Sequence, residues 1–405
     1  MRGSLASLDS RIAWRITMPV DHPTVPSAAT ADPCSRARAA RAVLAANATA
    51  TEEQGKPTVE SRAAAEEAGA FALTTPENFG GLDADHRTMV GVFAELGAGC
   101  PSTAWLAAVS ATAKSFFFDW MTTEAQEAVY ADPNVRVCGT AVPAGHARRV
   151  DGGYLVDGRW SYASGCLEAR WAEVGLGMID DERTDRACLV ILPTERLLID
   201  RTWDQAVGLR GTGSHTLVAE EVFVPDAFLM KQPEHLEGPG IGTRQLSVVL
   251  HTVAPLLGAA RGALDLVRPL MTTERPVFGT SYTRRSQSPS ARLMFAESSQ
   301  LVDTAEQRTL GVADMLDAAD LGNTSLATEA AGARMQLVSA LRDCRTALDM
   351  LLDLHGSSAL TEGNALSRFW RDVAIGSRHG AVNPYVVADQ LGSALAPEEL
   401  PAEDA

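Results

Sequence analysis

What most restricts the fold of this chain is a double switch in its apolar period. From Ser35 to about Pro133 the sequence is Ala-rich and spaced as helices. From Val135 to about Pro225 the period falls to two, and from Ile241 onward helical spacing returns over longer stretches. The first block predicts helices over Arg62–Leu73, closed by Thr74-Thr75-Pro76, and over Arg87–Leu96. A third opens at Pro101-Ser102-Thr103 with Ser102 as N-cap and carries Trp105, Leu106, Val109 and Ala113, then Phe116 to Phe118. In the second block Val135–Thr140 reads as a strand. Arg148–Trp160 reads as a hairpin whose turn residues are Gly152-Gly153 and Asp157-Gly158, and Cys188–Leu192 and Leu217–Val224 are further strands. In the third, Leu337, Leu341, Cys344, Leu348 and Leu352 form one stripe, and Ser247–Met271, Arg292–Leu316 and Thr324–Leu354 have the lengths of bundle helices.

The expected fold class is α+β: a helical domain over 35–133, a β domain over 134–236 and a helical bundle over 237–396. A disordered segment over 1–34 and an acidic tail over 397–405 flank them. With 35 basic and 51 acidic residues the net charge is −16, which repels phosphate backbones and argues against nucleic-acid binding. No apolar run reaches the roughly 18 residues of a membrane span, and the N-terminus lacks a secretory pattern. The six cysteines are scattered without a CxxC pair, and the eight histidines show no HxxxH or HExxH spacing. No metal site or disulfide framework is expected, and a cytoplasmic location follows.

Several motifs then occur in a telling order. Pro76-Glu77-Asn78-Phe79-Gly80-Gly81 resembles the P-x-x-F/Y-G-G loop of acyl-CoA dehydrogenases, and Gly158 to Gly165 resembles the G-x-W-x-x-x-S-G segment of their oxygenase branch. Gly208-Leu209-Arg210-Gly211-Thr212-Gly213-Ser214 with Val222-Phe223-Val224-Pro225 is similar to the G-x-R-x-T-x-S and V-P elements. His355-Gly356-Ser357 and Arg368-Phe369-Trp370-Arg371-Asp372 match the closing turn and R-x-x-R-D. From about Glu60 to Ala394 the chain resembles the two-component flavin-dependent monooxygenases of the acyl-CoA dehydrogenase superfamily, which include phenol and polyketide hydroxylases and amino-sugar N-oxygenases.

The resemblance implies an N-terminal helical domain, a β-barrel-like domain and a four-helix bundle, assembled as a homotetramer. It implies oxygenation of a small, aromatic or secondary-metabolite substrate by O2 and reduced flavin through a C4a-hydroperoxyflavin. A separate NAD(P)H:flavin reductase would supply the flavin, since no dinucleotide fingerprint follows a strand. It places the backbone of Gly139, Thr140, Ala141, Val142 and Pro143 along the flavin ring. Trp160 either packs beside the ring or fills the β core, with Ser161 next to it. Arg210 and Ser214 are candidates for the phosphate or ribityl chain. The family's R-x-x-F-G element for the FAD adenosine half is not visible around Arg284-Arg285, which favours FMN and leaves FAD possible.

Two residues are the catalytic candidates. The Ser164 hydroxyl either accepts a hydrogen bond from flavin N5 or makes an ordinary turn contact. His379 stands near where many of the dehydrogenases keep a glutamate base, and can deprotonate a phenol or orient a hydroxyl. Trp105, Phe117, Trp120 and His146 are weaker candidates for a substrate pocket, the Phe/Trp cluster suiting a core equally well. Arg371 and Asp372 read as a structural ion pair. A dehydrogenase or desaturase is the alternative, with Glu95, Asp119 or Glu362 as a base that no spacing supports; a non-catalytic homologue is a third.

Overall fold

The computed structural model describes residues 32–233, 239–318 and 326–396. Of the segment expected to be disordered over 1–34, residues 1–31 lie outside these residues, as do the acidic tail and the helix start at Thr324, whereas Asp32 caps and Pro33 and Cys34 open the first helix. The first helices are α1 (Pro33–Gln54), α2 (Val59–Glu67), α3 (His86–Gly97), α4 (Pro101–Phe117) and α5 (Thr123–Val129). Asp32 caps α1 by accepting from the amides of Cys34 and Ser35, and Asp85 caps α3 by accepting from Thr88. Two expectations need correction. The helix expected to reach Leu73 ends at Glu67, because Gly69 turns the chain at φ 79°. The N-cap of α4 is Cys100, with no side-chain hydrogen bond, because Pro101 already takes the first helical position and Ser102 lies inside.

Seven strands follow: β1 (Val137–Val150), β2 (Gly153–Ala163), β3 (Trp171–Ile179), β4 (Glu182–Pro193), β5 (Leu198–Asp200), β6 (His215–Pro225) and β7 (Leu229–Lys231). They form one sheet of order β5-β6-β2-β1-β3-β4-β7. The β1–β2 hairpin closes on Val150↔Gly153, with Gly152 at φ 79° supplying the left-handed position. Asp157-Gly158 is not a turn. It lies within β2, where the pairing with β6 shifts register between Val156 and Gly158. Glycine is required there for another reason: a Cβ on Gly158 would fall 2.5 Å from the Trp160 ring.

The last block holds α6 (Pro239–Thr272), α7 (Pro289–Ala318), α8 (Leu326–His355), α9 (Ala365–Gly376) and α10 (Pro384–Leu395). The stripe on α8 is buried: Leu337, Leu341, Cys344 and Leu348 sit in the core with Val253, Leu256 and Leu257 of α6. Each such leucine contributes roughly 1.5–3 kcal/mol by burial. Contrary to the sequence expectation, Arg244–Thr272 is long and apolar enough to cross a bilayer. Its most apolar stretch is 83% buried inside the protein, so it is the central helix of the fold. The backbones of α3 and α6 approach closely where Gly97 faces Pro255 and Gly258 faces Ala94; a Cβ on either glycine would fall within 2.3 Å of a carbonyl oxygen.

Candidate active site

The Trp105 end of α4 is a wall shared by two candidate groups. At the end of β2 the chain turns through Tyr162, at φ 63°, into Ser164 and Gly165, at φ 87°. A Cβ on Gly165 would lie 3.2 Å from Cδ2 of Leu106 and 4.0 Å from Cβ of Cys138, so this turn is wedged between α4 and β1. One residue before Leu106, Trp105 meets His379 edge to face, with ring centroids 5.7 Å apart. Ser164 and His379 are thus both tied to one turn of α4, one through its neighbour Gly165 and the other directly.

His379 follows α9 and caps the short 3-10 turn Gly380–Val382, its Nδ1 accepting the Ala381 amide proton at 3.3 Å. A ring nitrogen that accepts carries no proton, so the neutral tautomer bears its hydrogen on Nε2. The residue keeps an exposed surface while the Trp105 indole and neighbouring protein pack against its ring. Desolvation there lowers its pKa below the ordinary imidazole value, which keeps the ring neutral near pH 7.

Ser164 is buried and its Oγ lies 2.7 Å from Oγ of Ser214, which lies 2.6 Å from Oγ1 of Thr212. Thr212 donates to the Leu209 carbonyl at 2.7 Å. Leu209 is itself unusual: a leucine at φ 50°, whose amide donates to Asp372 of α9 at 2.5 Å. The expected Arg371–Asp372 ion pair does not form, because adjacent residues on a helix point apart. Arg371 binds Glu52 and the Val207 carbonyl instead, and Arg368 binds Glu52 at 3.2 Å and Thr49. Among the described residues Asp372 forms no ion pair within contact distance, and burial, outweighing the nearby arginines, pushes its carboxyl up to about 7.

Next to the Ser164 turn, β1 breaks its ladder. Pairing with β3 skips from Thr140 to Gly145 and pairing with β2 begins only at Gly145, so Ala141 to Ala144 run exposed and outside the sheet bonding. This stretch arches over Gly175 and Gly177, where a Cβ would fall about 2.5 Å from the carbonyl oxygens of Ala141 and Pro143 respectively. The residues fit a flavin by their chemistry. Exposed backbone outside the ladder suits the pyrimidine half of the ring, with the Val142 amide already donated to Thr140 Oγ1 at 3.3 Å, and the Ser164 turn lies beside it through Gly165 and Cys138.

Other candidates lie elsewhere. Trp160 is enclosed in the β core at 1% exposure, its indole donating to the Gly175 carbonyl at 2.8 Å, so it is not free to stack on a ligand. Phe117 and Trp120 are core residues packed on each other at 5.0 Å. His146 faces Asp181 of the β3–β4 turn at 3.4 Å. Ser161 is exposed and accepts from Thr216. Arg210 lines a surface groove with Asp204, Gln205 and Arg371, apart from Ser214, which is buried behind Ser164. Glu95 is held by Arg38, Arg41 and Arg261, and Asp119 by Arg244, which commits both to ion pairs; Glu362 is exposed.

One element was missed in the sequence. Arg275-Pro276-Val277-Phe278-Gly279 has the R-x-x-F-G spacing, nine residues before Arg284-Arg285. It forms a small hairpin after α6, tied by Arg275 N–H to the Thr283 carbonyl and Val277 N–H to the Tyr282 carbonyl. Phe278 is fully exposed at its tip.

Similarity to known proteins shows the family. Residues 35–136 match the family described as acyl-CoA dehydrogenase, N-terminal domain, and residues 250–384 match acyl-CoA dehydrogenase, C-terminal domain. A flavin-dependent monooxygenase, oxygenase subunit HsaA, from Rhodococcus jostii is 32% identical over 82% of this chain and 90% of its own length. The chain belongs to the two-component flavin-dependent monooxygenases of acyl-CoA dehydrogenase fold. This oxygenase component is also 30% identical to the oxygenase component of the FADH(2)-dependent resorcinol hydroxylase of a Rhizobium species, over 85% of this chain and 89% of that protein. Among solved structures it resembles XiaF from a Streptomyces species in complex with FADH2 and glycerol. The TM-score is 0.83 at 26% identity, covering 92% of this chain and 97% of that one. As an oxygenase component it uses reduced flavin made by a separate reductase.

Proposed function

We propose that this monooxygenase hydroxylates an aromatic ring bearing a hydroxyl or ring nitrogen, with one atom of O2. Bound reduced flavin supplies the electrons that activate O2. Ser164 accepts a hydrogen bond from flavin N5–H, the backbone from Gly139 to Pro143 lies along the ring, and His379 directs the substrate. The observation that carries this reading is the packing of Gly165, the neighbour of Ser164, and of His379 against successive residues of α4. This supports a reading in which a hydroxyl and an uncharged imidazole serve the same site. With Nδ1 occupied by the Ala381 amide, His379 offers Nε2–H, which favours donation to a substrate oxygen over removal of a proton. Trp105 presents an aromatic edge beside it. The named substrates of the relatives, resorcinol and indole-3-acetate among them, support an aromatic class.

We infer FADH2 as the flavin, rather than the FMN that the sequence expectation favours, since Arg275 to Gly279 supply the spacing associated with the adenosine half. A homotetramer remains part of the proposal, supported by exposed Leu266 on α6 and Leu293 on α7, which would be covered between copies. A cytoplasmic location is supported by six free thiols, five of them buried. The test is a single turnover of photoreduced FAD with isotopically labelled O2 and a panel of phenols and indoles. One labelled oxygen atom in a product supports the proposal. Flavin oxidation with hydrogen peroxide as sole product across the panel, or full turnover with a dye in place of O2, counts against it.

A further inference from the structure

The three hydroxyls behind Ser164 have an order of donation that the geometry fixes. Oxygens 2.6–2.7 Å apart need a proton between them. The Leu209 carbonyl can only accept, so Thr212 donates its single hydroxyl proton there. Thr212 then has none left for Ser214, and Ser214 must donate to Thr212. Ser214 has none left for Ser164, and Ser164 must donate to Ser214. The Ser164 oxygen therefore has only lone pairs to offer a further partner. We propose that Thr212 and Ser214 are positioning residues that hold Ser164 as an obligate hydrogen-bond acceptor, so that the site selects reduced over oxidised flavin.

The anchor of this chain is held from several sides. The Leu209 carbonyl also accepts from the Thr212 amide at 3.1 Å and from the Trp203 indole at 3.0 Å. Its own amide is tied to Asp372 at 2.5 Å, and a Cβ on the preceding Gly208 would lie 2.2 Å from the Arg371 carbonyl oxygen, so the loop is clamped on α9. A fixed carbonyl fixes the direction of every proton in the series. The consequence is chemical. Reduced flavin carries a hydrogen on N5 and donates; oxidised flavin carries none and accepts. Two acceptors facing each other repel, so an acceptor-only Ser164 favours the reduced ring and disfavours the oxidised one.

This inference rests on the placement of Ser164 at N5, and the test separates the two. The quantity measured is the ratio of dissociation constants for FAD and for FADH2, the latter titrated anaerobically. The unaltered protein is expected to favour FADH2. Thr212→Val keeps the side-chain volume but frees Ser214 to donate toward Ser164, and Ser214→Ala frees Ser164 to turn its own proton outward. Each is expected to lower the ratio roughly three- to tenfold, the size of one hydrogen bond. Thr212→Ser restores the hydroxyl and should restore the ratio, which a merely structural role would not require. Thr212→Val carries the test alone should Ser214→Ala lose its fold. If Ser164→Ala lowers the ratio while Thr212→Val and Ser214→Ala leave it intact, the inference is overturned and Ser164 keeps its place. If Ser164→Ala itself leaves the ratio unchanged, Ser164 is not at N5 and both fall.

Discussion

The indole of Trp105 meets the imidazole of His379 edge to face, with ring planes at 72°. That contact and the Ala381 amide together set the ring's orientation and leave Nε2 as its donor. A donor can be imitated by an amide, whereas a base cannot. His379→Ala should therefore lower product formation roughly 10- to 100-fold, the worth of a hydrogen bond to a charged or developing oxyanion. His379→Gln should recover part of that loss. Initial rates of product formation in the two variants decide it: equal rates would mean that His379 acts as a base.

The same histidine has a pH signature. Its pKa is lowered by desolvation, so it gains charge only below the ordinary imidazole range of about 6.5. Product formation should show no acid limb centred at 6.5, and His379→Gln should leave the profile from pH 6 to 8 unchanged in shape. A limb at 6.5 that disappears in the variant would contradict this.

Asp372 makes a prediction about stability. Its carboxyl is raised from 3.8 to about 7, first by burial. Between those values the folded state binds more protons than the unfolded one, so this group's contribution falls as pH rises from about 4 to about 7. Asp372→Asn keeps an acceptor for the Leu209 amide and cannot ionise. Urea unfolding at pH 5 and pH 8 should show the variant gaining relative to the parent at the higher pH. Asp372→Ala, which leaves that amide without its partner, should cost about 1–3 kcal/mol at pH 5.

Lys114 gives the opposite sign. Fully buried on α4, it donates to the Phe71 carbonyl and to Thr75 at 2.7 Å, and burial lowers its pKa to about 7. From about pH 7 to 10.5 the unfolded state binds more protons, so the parent gains stability as pH rises through that window. Lys114→Met lacks the titration. The melting temperature of the parent minus that of the variant should increase between pH 7 and pH 10.

The hairpin carrying Arg275 and Phe278 predicts flavin selectivity. Arg275→Ala and Phe278→Ala should weaken FADH2 binding and leave FMNH2 binding nearly unchanged, because only the former has an adenosine half. Anaerobic titrations with both flavins check this, and equal losses would assign the hairpin another role.

Much of the fold was legible because it depends on local pattern. The stripe on α8 and the Gly152 turn follow from spacing and backbone freedom, which a sequence carries openly. What was misread depends on partners distant in sequence. Arg371 pairs with Glu52, 319 residues away, and no helical spacing could reveal that. Asp157-Gly158 has the composition of a turn, but the Trp160 ring makes it a close passage inside a strand. At the site, Ser164 and His379 could be named from motifs. The hydroxyl series through Ser214 and Thr212 could not, since it depends on a left-handed Leu209 that sequence does not announce. Arg275 to Gly279 is plain in the sequence, nine residues ahead of Arg284-Arg285.

The most direct measurement is a crystal structure of this chain with reduced flavin and an aromatic substrate, grown without oxygen. The account expects Ser164 Oγ at about 3 Å from N5, with His379 Nε2 at hydrogen-bond distance from a substrate oxygen. A flavin whose N5 faces a carboxylate, with Ser164 beyond hydrogen-bond reach, would contradict it.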